Sequence, residues 1–249
     1  MTALLQVDGL TYHYGTRVAV DGVSFEVQSG EILALLGPNG AGKTTAISCL
    51  CGLLAPRDGV MTFEGERFTP LETPSQRGRL GVVPQELALY EALTAAENLL
   101  FFAQLHGVSD PESAVARGLK LAALEGRAGD RVKTFSGGMK RRLNLAVGTL
   151  TEPSLTLLDE PMVGVDPQSR NHIFDSIENL RDQGRGILYT SHSMDDVERL
   201  CDRVAIMDHG KLMAIGTPAQ LATEAGIPEA DLERTFLELT GRSLRDESS

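Results

Sequence analysis

The sequence predicts an α/β fold: a mostly parallel sheet with helices on both faces, an antiparallel β-subdomain at the N-terminal side and an inserted helical subdomain. Three observations carry this. Apolar runs alternate with helical segments through the last third of the chain, the pattern of strand–helix–strand units. The run Ile32 to Leu36 is continuously apolar, as a strand buried on both faces must be, and a glycine-rich loop and a helix follow it. From about Leu93 to Leu124 the strand pattern stops, and Leu99, Phe102 and Leu105 recur at helical spacing.

Taken in order, Leu4 to Val7 and Val23 to Val27 are β-rich, and Ser29-Gly30 is a turn signal before the Ile32 to Leu36 strand. KTTAISCLCGLL has helical length and meets no breaker before Gly52. Met61 to Phe68 reads as a hairpin bent at Glu64-Gly65. TAAENLLFFAQLHG is helical, and another helix starts after Ser136 and runs through RRLNLAVGTL, so the helical subdomain occupies roughly residues 87–150. Leu155 to Leu158 is a buried strand, Arg170 to Leu180 a helix, Gly186 to Thr190 a strand, DDVERLC a helix and Val204 to Met207 a strand. His209-Gly210 turns the chain into KLMAI. Residues 1–222 are expected to form one domain, and residues 223–249 a short helical extension with a frayed polar tail, RSLRDESS.

The chain of 249 residues is long enough for a sizeable core, and its 42% hydrophobic and 23% charged residues are ordinary globular composition. Lys and Arg number 23 against 34 Asp and Glu, a net charge of −11, which argues against nucleic acid as a partner, because that binding runs on phosphate neutralisation. Three cysteines do not make a disulfide framework and point to a reducing compartment. No apolar run reaches the roughly 20 residues of a membrane helix, and the opening MTALLQVDGLTYHYG lacks the pattern of a secretory signal.

Residues Gly37, Pro38, Asn39, Gly40, Ala41, Gly42, Lys43, Thr44 and Thr45 fit G-x-x-x-x-G-K-[ST], with the strand before and the helix after that the motif requires. Glycines let successive backbone N–H groups point at phosphate oxygens, and the following helix turns its positive end to the same anion. Lys43 would bridge the β- and γ-phosphates and the Thr44 hydroxyl would ligate Mg²⁺. The domain is therefore expected to have a P-loop NTPase core.

LTLLDEP places Asp159 and Glu160 at the C-terminal end of a buried strand, the edge where α/β sheets bind ligands. Asp159 is a candidate for the Mg²⁺ hydration shell and Glu160 for the general base acting on the attacking water. An acidic pair after a strand is more often a turn or a cap; the phosphate loop reverses those odds. His192 ends the strand GILYT in the same way and could hydrogen-bond a γ-phosphate oxygen. His13, His106, His172 and His209 have no such alignment and read as surface or packing residues.

With these residues in place the chain resembles the ATP-binding cassette (ABC) ATPases. Phe135-Ser136-Gly137-Gly138-Met139 resembles their LSGGQ signature and lies between the phosphate loop and the DEP strand. Gln85 in GVVPQE looks like the Q-loop glutamine, Asp166 in VGVDP like the D-loop aspartate, and Tyr14 in YHYG like the aromatic that stacks on adenine. The resemblance implies ATP and Mg²⁺ as cofactors, with Gln85 contacting Mg²⁺ and the attacking water. It implies a head-to-tail homodimer, or a heterodimer with a similar cassette, in which Ser136, Gly137 and Gly138 of one subunit close the other's ATP site. It also implies a separate transmembrane permease subunit, docked on the helical subdomain around Leu87 to His106, which would hold this chain on the cytoplasmic face of the membrane.

Phe135 stands where the general pattern has Leu, Met139 where it has Gln, and Met162 where Thr follows DEP. The form SGGM-K-R-R-L resembles the ATPase subunits of ABC-2-type exporters of drugs, sodium, polysaccharides and lipid-linked substrates. Lys140, Arg141 and Arg142 read as a solvated helix face, most of Leu99, Phe101 and Phe102 as local core, and Cys49 and Cys51 as small buried residues. The alternatives are a soluble ABC ATPase without a transport role, such as an iron–sulfur assembly scaffold, and a catalytically dead nucleotide-gated regulator.

Overall fold

The computed structural model describes residues 3–227 and 231–241, so the expected frayed tail at residues 242–249 lies outside the described residues. The chain divides into two compact units, Met1–Arg77 with Gly186–Ser249, and Gly78–Arg185.

In the first unit β1 (Leu5–Tyr14) and β2 (Arg17–Val27) pair antiparallel, from Leu5 opposite Val27 to Tyr14 opposite Arg17. Leu5, Val7, Leu10, Val20, Val23 and Val27 are buried, the alternation expected of a sheet with one face covered. β4 (Asp58–Phe63) pairs antiparallel on the other edge of β1, and β5 (Glu66–Arg67) returns beside it, giving a four-stranded sheet in the order β2-β1-β4-β5. Phe63 faces Glu66 across the bend, with Glu64 at φ 54 and Gly65 at φ 81. Two positive φ values make this the mirror-image turn whose twist suits a hairpin.

A second sheet is built around β3 (Ile32–Leu36), buried along its whole length. It lies between two parallel neighbours, β8 (Gly186–Ser191) and β9 (Arg203–Asp208), and β10 (Lys211–Gly216) adds antiparallel to β9. The helix α1 (Lys43–Leu50) follows the loop after β3. α7 (Met194–Leu200) starts on a Ser193 cap, and α8 (Pro218–Glu224) on a Thr217–Gln220 capping box. In α9 (Leu232–Thr240) Phe236 is buried, and the Leu232 amide donates to the Glu198 carboxylate at 2.8 Å. A short helical turn, α2 (Pro74–Arg77), ends the first stretch of this unit.

The second unit pairs β6 (Leu80–Val83) parallel with β7 (Leu155–Asp159), from Leu80 opposite Leu155 to Val83 opposite Leu158. Three α-helices connect these strands and a fourth follows β7. α3 (Ala95–Leu105) opens on a Thr94–Glu97 capping box; α4 (Pro111–Leu121) opens on Asp110 with Pro at its first turn. α5 (Gly137–Gly148) opens on Ser136 and α6 (Pro167–Asp182) on Asp166. Leu99, Val132, Phe135, Leu143, Ala146 and Leu150 share their core.

Leu99 is fully buried and Phe102 packs half-buried on this core, as expected, but Phe101 is 39% exposed and stands edge-on to Tyr90 with centroids 4.9 Å apart. Its position on α3 faces it away from the seam that Leu99 and Ala103 bury. Cys49 is buried and burial pushes its thiol up to about 11, whereas Cys51 is only half-buried. No helix of the described residues is long and apolar enough to cross a membrane.

Candidate functional site

The phosphate loop begins where β3 ends. Leu36 is level with Ser191 of β8 and Ile206 of β9, and the Gly37 amide donates to the Ser191 carbonyl at 3.3 Å. A Cβ on Gly37 would lie 2.2 Å from the Met207 carbonyl oxygen, so no side chain fits there. The loop then turns through the Ala41 amide, which donates to the Pro38 carbonyl at 3.2 Å. Gly42 sits at φ +101, where a Cβ would also come within 2.4 Å of the Ala19 carbonyl. The residue that caps α1 is this glycine, which makes no side-chain cap bond. A helix opening directly on a glycine-rich loop is the arrangement that binds anions.

Lys43 is 4% exposed, and its Nζ donates to the Gly37 carbonyl at 2.7 Å and the Pro38 carbonyl at 3.0 Å. A buried ammonium is costly unless hydrogen-bonded, and here the loop it belongs to supplies the acceptors. Lys43 is thereby held across its own loop. Asn39, Gly40 and Thr44 are exposed, and Thr45 is half-buried. This cradle of backbone amides, a fixed cation and an uncapped helix end fits a nucleotide polyphosphate. Among the described residues no cluster of three or more His, Cys, Asp or Glu could hold a metal alone. A Mg²⁺ ion would have to share phosphate oxygens and water, which is its usual habit.

His192 is the next residue after Ser191, so the parallel register sets it beside Gly37. It is exposed, on a turn tightened by the Ser193 amide, which donates to the Ser191 hydroxyl at 2.9 Å. Tyr14 ends β1 and is 52% exposed, with its ring edge-on to Tyr12 at 4.9 Å. An exposed aromatic face braced by a neighbour is a ready stacking surface.

In the second unit β7 is buried throughout and delivers Asp159 at 4% and Glu160 at 7% exposure. Glu160 has φ 45, the left-handed region, which costs a residue with a side chain about 1–2 kcal/mol. Its carbonyl accepts the Val163 amide at 3.3 Å and the Met162 carbonyl accepts that of Val165 at 3.3 Å, so a tight turn holds the carboxylate in that conformation. Strain at a buried acid on a strand end is a mark of functional sites. Met162, in place of the usual Thr, is buried at 5% exposure.

Ser136 caps α5: its Oγ accepts the Met139 amide at 3.2 Å, which leaves the hydroxyl proton free to be donated outward. Met139 contributes that amide, while its half-buried side chain packs on the helical core. Phe135 is buried with the Arg127 guanidinium 5.7 Å over its ring. A Cβ on Gly138 would lie 2.1 Å from Ser169 Oγ and 2.6 Å from Asp166 Oδ2, so the start of α5 presses on the start of α6. Asp166 accepts the Ser169 amide at 2.9 Å, and that bond holds its carboxyl below the usual carboxylate range. Residues 136–139 and 166–169 are thus one built corner, with a cavity of about 270 Å³ lined by Ser136, Met139, Arg142, Asp166, Gln168, Ser169 and His172. His172, expected as a surface or packing residue, lines this cavity, and α6 starts at Pro167, three residues before the expected Arg170; the Asp166-Pro167 pair, a cap followed by a first-turn proline, signals that start.

Gln85 is exposed, on the irregular segment after β6. The expectation of a solvated face at Lys140, Arg141 and Arg142 is wrong. All three are half-buried: Lys140 pairs with Glu91, Arg141 donates to the Gln85 carbonyl, and Arg142 donates to the Ala122 carbonyl at 2.7 Å. The carbonyls they reach belong to loop ends and to the C-terminus of α4, groups left without helix or sheet partners.

The family model described as ABC transporter matches residues 20–163. The chain is 44% identical over 225 residues to the linearmycin resistance ATP-binding protein LnrL of Bacillus subtilis (strain 168), covering 90% of this chain and 72% of that protein. It is 42% identical over 223 residues to the Nod factor export ATP-binding protein I of Cupriavidus metallidurans, covering 89% of this chain and 73% of that one. A solved ATP-binding subunit of an ABC transporter superposes with a TM-score of 0.85 at 33% identity, over 95% of this chain and 99% of that chain. The glycine cradle around Lys43, the strained acid after β7 and the Ser136-capped helix are therefore the parts of a member of the ABC transporter family: this chain is an ATP-binding, ATP-hydrolysing subunit of that family.

Proposed function

We propose that this chain hydrolyses ATP to power export through a separate membrane-spanning subunit. The observation that carries the nucleotide half is Lys43, buried and held over its own loop by the Gly37 and Pro38 carbonyls. The export half is supported by relatives named as export and resistance ATP-binding proteins. They also remove the support for the iron–sulfur scaffold reading.

The residues divide the work as follows. Residues 37–45 bind the triphosphate, with Lys43 at the β- and γ-phosphates, and Tyr14 stacks on the adenine. Thr44, Gln85 and Asp159 would hold Mg²⁺ bound with the nucleotide, and the ion would supply neutralisation of phosphate charge. Glu160 takes the proton of the attacking water, and His192 donates to a γ-phosphate oxygen. Two cassettes pair head to tail, homodimer or heterodimer. Ser136, Gly137 and Gly138 of each offer the hydroxyl proton and helix-end amides to the other's γ-phosphate, with Asp166 at the same corner. Loss of that phosphate removes the bridge and lets the subunits part. The permease docks on the helical region around Leu87 to His106, where Tyr90, Phe101 and Leu105 are exposed apolar side chains. This chain then sits at the cytoplasmic face of the membrane.

Affinity capture of the tagged chain from detergent-solubilised membranes of its own cells should bring down a polytopic membrane protein in stoichiometric amount. Recovery of soluble partners alone would overturn the export reading. Tyr14→Ala should weaken ATP binding by about 1 kcal/mol, or roughly fivefold, in a nucleotide titration. An unchanged affinity would remove Tyr14 from the adenine site.

A further inference from the structure

We infer that Asn144 and Arg141 are positioning residues for Gln85, binding its loop to the signature helix so that the two act as one rigid part. Residues 84–91 form no helix or strand, and Gln85, Glu86, Leu87, Ala88, Tyr90 and Glu91 are all exposed. Their backbone is nevertheless fixed. Asn144, 2% exposed on α5, donates from Nδ2 to the Pro84 carbonyl at 3.3 Å and accepts the Ala88 amide on Oδ1 at 3.2 Å. One amide group thus closes the loop on both sides of Gln85. Arg141, one turn earlier on the same helix, donates to the carbonyl of Gln85 itself. At the far end Asn98 is fully buried and grips Tyr90 twice, accepting its amide at 2.8 Å and donating to its carbonyl at 3.0 Å. The segment therefore presents most of its side chains, Gln85 among them, outward on a backbone whose polar groups are tied to α3 and α5.

The residue types are demanded by this arrangement. Only a primary amide of Asn length offers a donor and an acceptor side by side from a helix turn at this distance. A buried amide left half-bonded would destabilise the unit, so the grip is all or nothing. The helix that carries Asn144 and Arg141 begins at Ser136, and its first turn is the signature. A displacement at the signature is therefore delivered to Gln85 through two side chains, without crossing a flexible link. This deepens the proposed function, and rests on the part of it that gives Gln85 a place at the Mg²⁺ and attacking water.

The test is a double-mutant cycle read by ATPase kinetics of the purified full chain. Asn144→Asp keeps the acceptor for Ala88 but sets a carboxylate oxygen against the Pro84 carbonyl. It should lower kcat about tenfold, the scale of a small misplacement of a reacting group, while ATP affinity stays within about twofold. In a Gln85→Ala background the same substitution should cost less than about twofold, because the group it positions is gone. Equal losses in both backgrounds would overturn the positioning role and leave the function of Gln85 standing. If Gln85→Ala itself turns over ATP at the wild-type rate, the role of Gln85 falls and this inference with it. Should Asn144→Asp fail to fold, Arg141→Met replaces it in the cycle with the same expectations, and Arg141→Lys should recover most of its loss. Equal kcat for the Met and Lys variants would overturn the role of Arg141.

Discussion

Glu160→Gln is expected to lower ATP turnover by about 10²-fold or more while ATP binding is retained. The substitution keeps the shape of a side chain that is 7% exposed, at the end of a strand buried along its length. It therefore removes the proton acceptor without opening a cavity. Because the backbone at Glu160 is held at φ 45 by the turn through Val163 and Val165, the glutamine inherits the same position. With hydrolysis blocked, ATP should persist as the bridge between two cassettes, and the variant should elute as a dimer in ATP and a monomer in ADP. A wild-type rate in a phosphate-release assay would refute Glu160 as the base. A monomer at high concentration in ATP would refute the head-to-tail bridge even if the rate had fallen.

Lys43→Ala has the second large effect. Truncating one partner of a buried, hydrogen-bonded charge contact costs on the order of 2–5 kcal/mol, so ATP affinity should fall by about 10²-fold. The phosphates lose their fixed cation. The Gly37 and Pro38 carbonyls also lose a donor that reaches them at 2.7 and 3.0 Å, a loss the free chain bears as stability rather than affinity. α1 itself should persist, because it starts at this residue and alanine is the best helix former. Calorimetric titration with ATP gives the answer directly, and unchanged affinity would contradict the placement of Lys43 at the phosphates.

The phosphate loop could be read before any fold was known because its chemistry is contiguous. Nine neighbouring residues carry the glycines, the cation and the hydroxyls, and the strand and helix on either side show in the hydrophobic pattern. His192 was reachable for a related reason: one strand end predicts another when strands run parallel, and the register of β3 with β8 does place it beside Gly37. β6 was harder to see, since four residues with a glycine among them and a proline after them carry too little periodicity to identify a strand. Its existence depends on pairing with β7, more than seventy positions away in number.

The sequence alone determined the α/β class, the nucleotide cradle and the ordered motifs, because each is encoded in a local run whose side chains and backbone act together. Tertiary structure alone decided the role of polar residues on partly exposed faces. Periodicity says which side of α5 is apolar; it does not say that Arg141 and Asn144 find carbonyls and amides 56 and 60 positions away. It likewise says that Gly138 permits close approach, but not that the approaching groups are Ser169 and Asp166. A hydrogen bond forms where a donor meets an unpaired acceptor in space, and that meeting is set by packing of the whole unit, which no single segment contains.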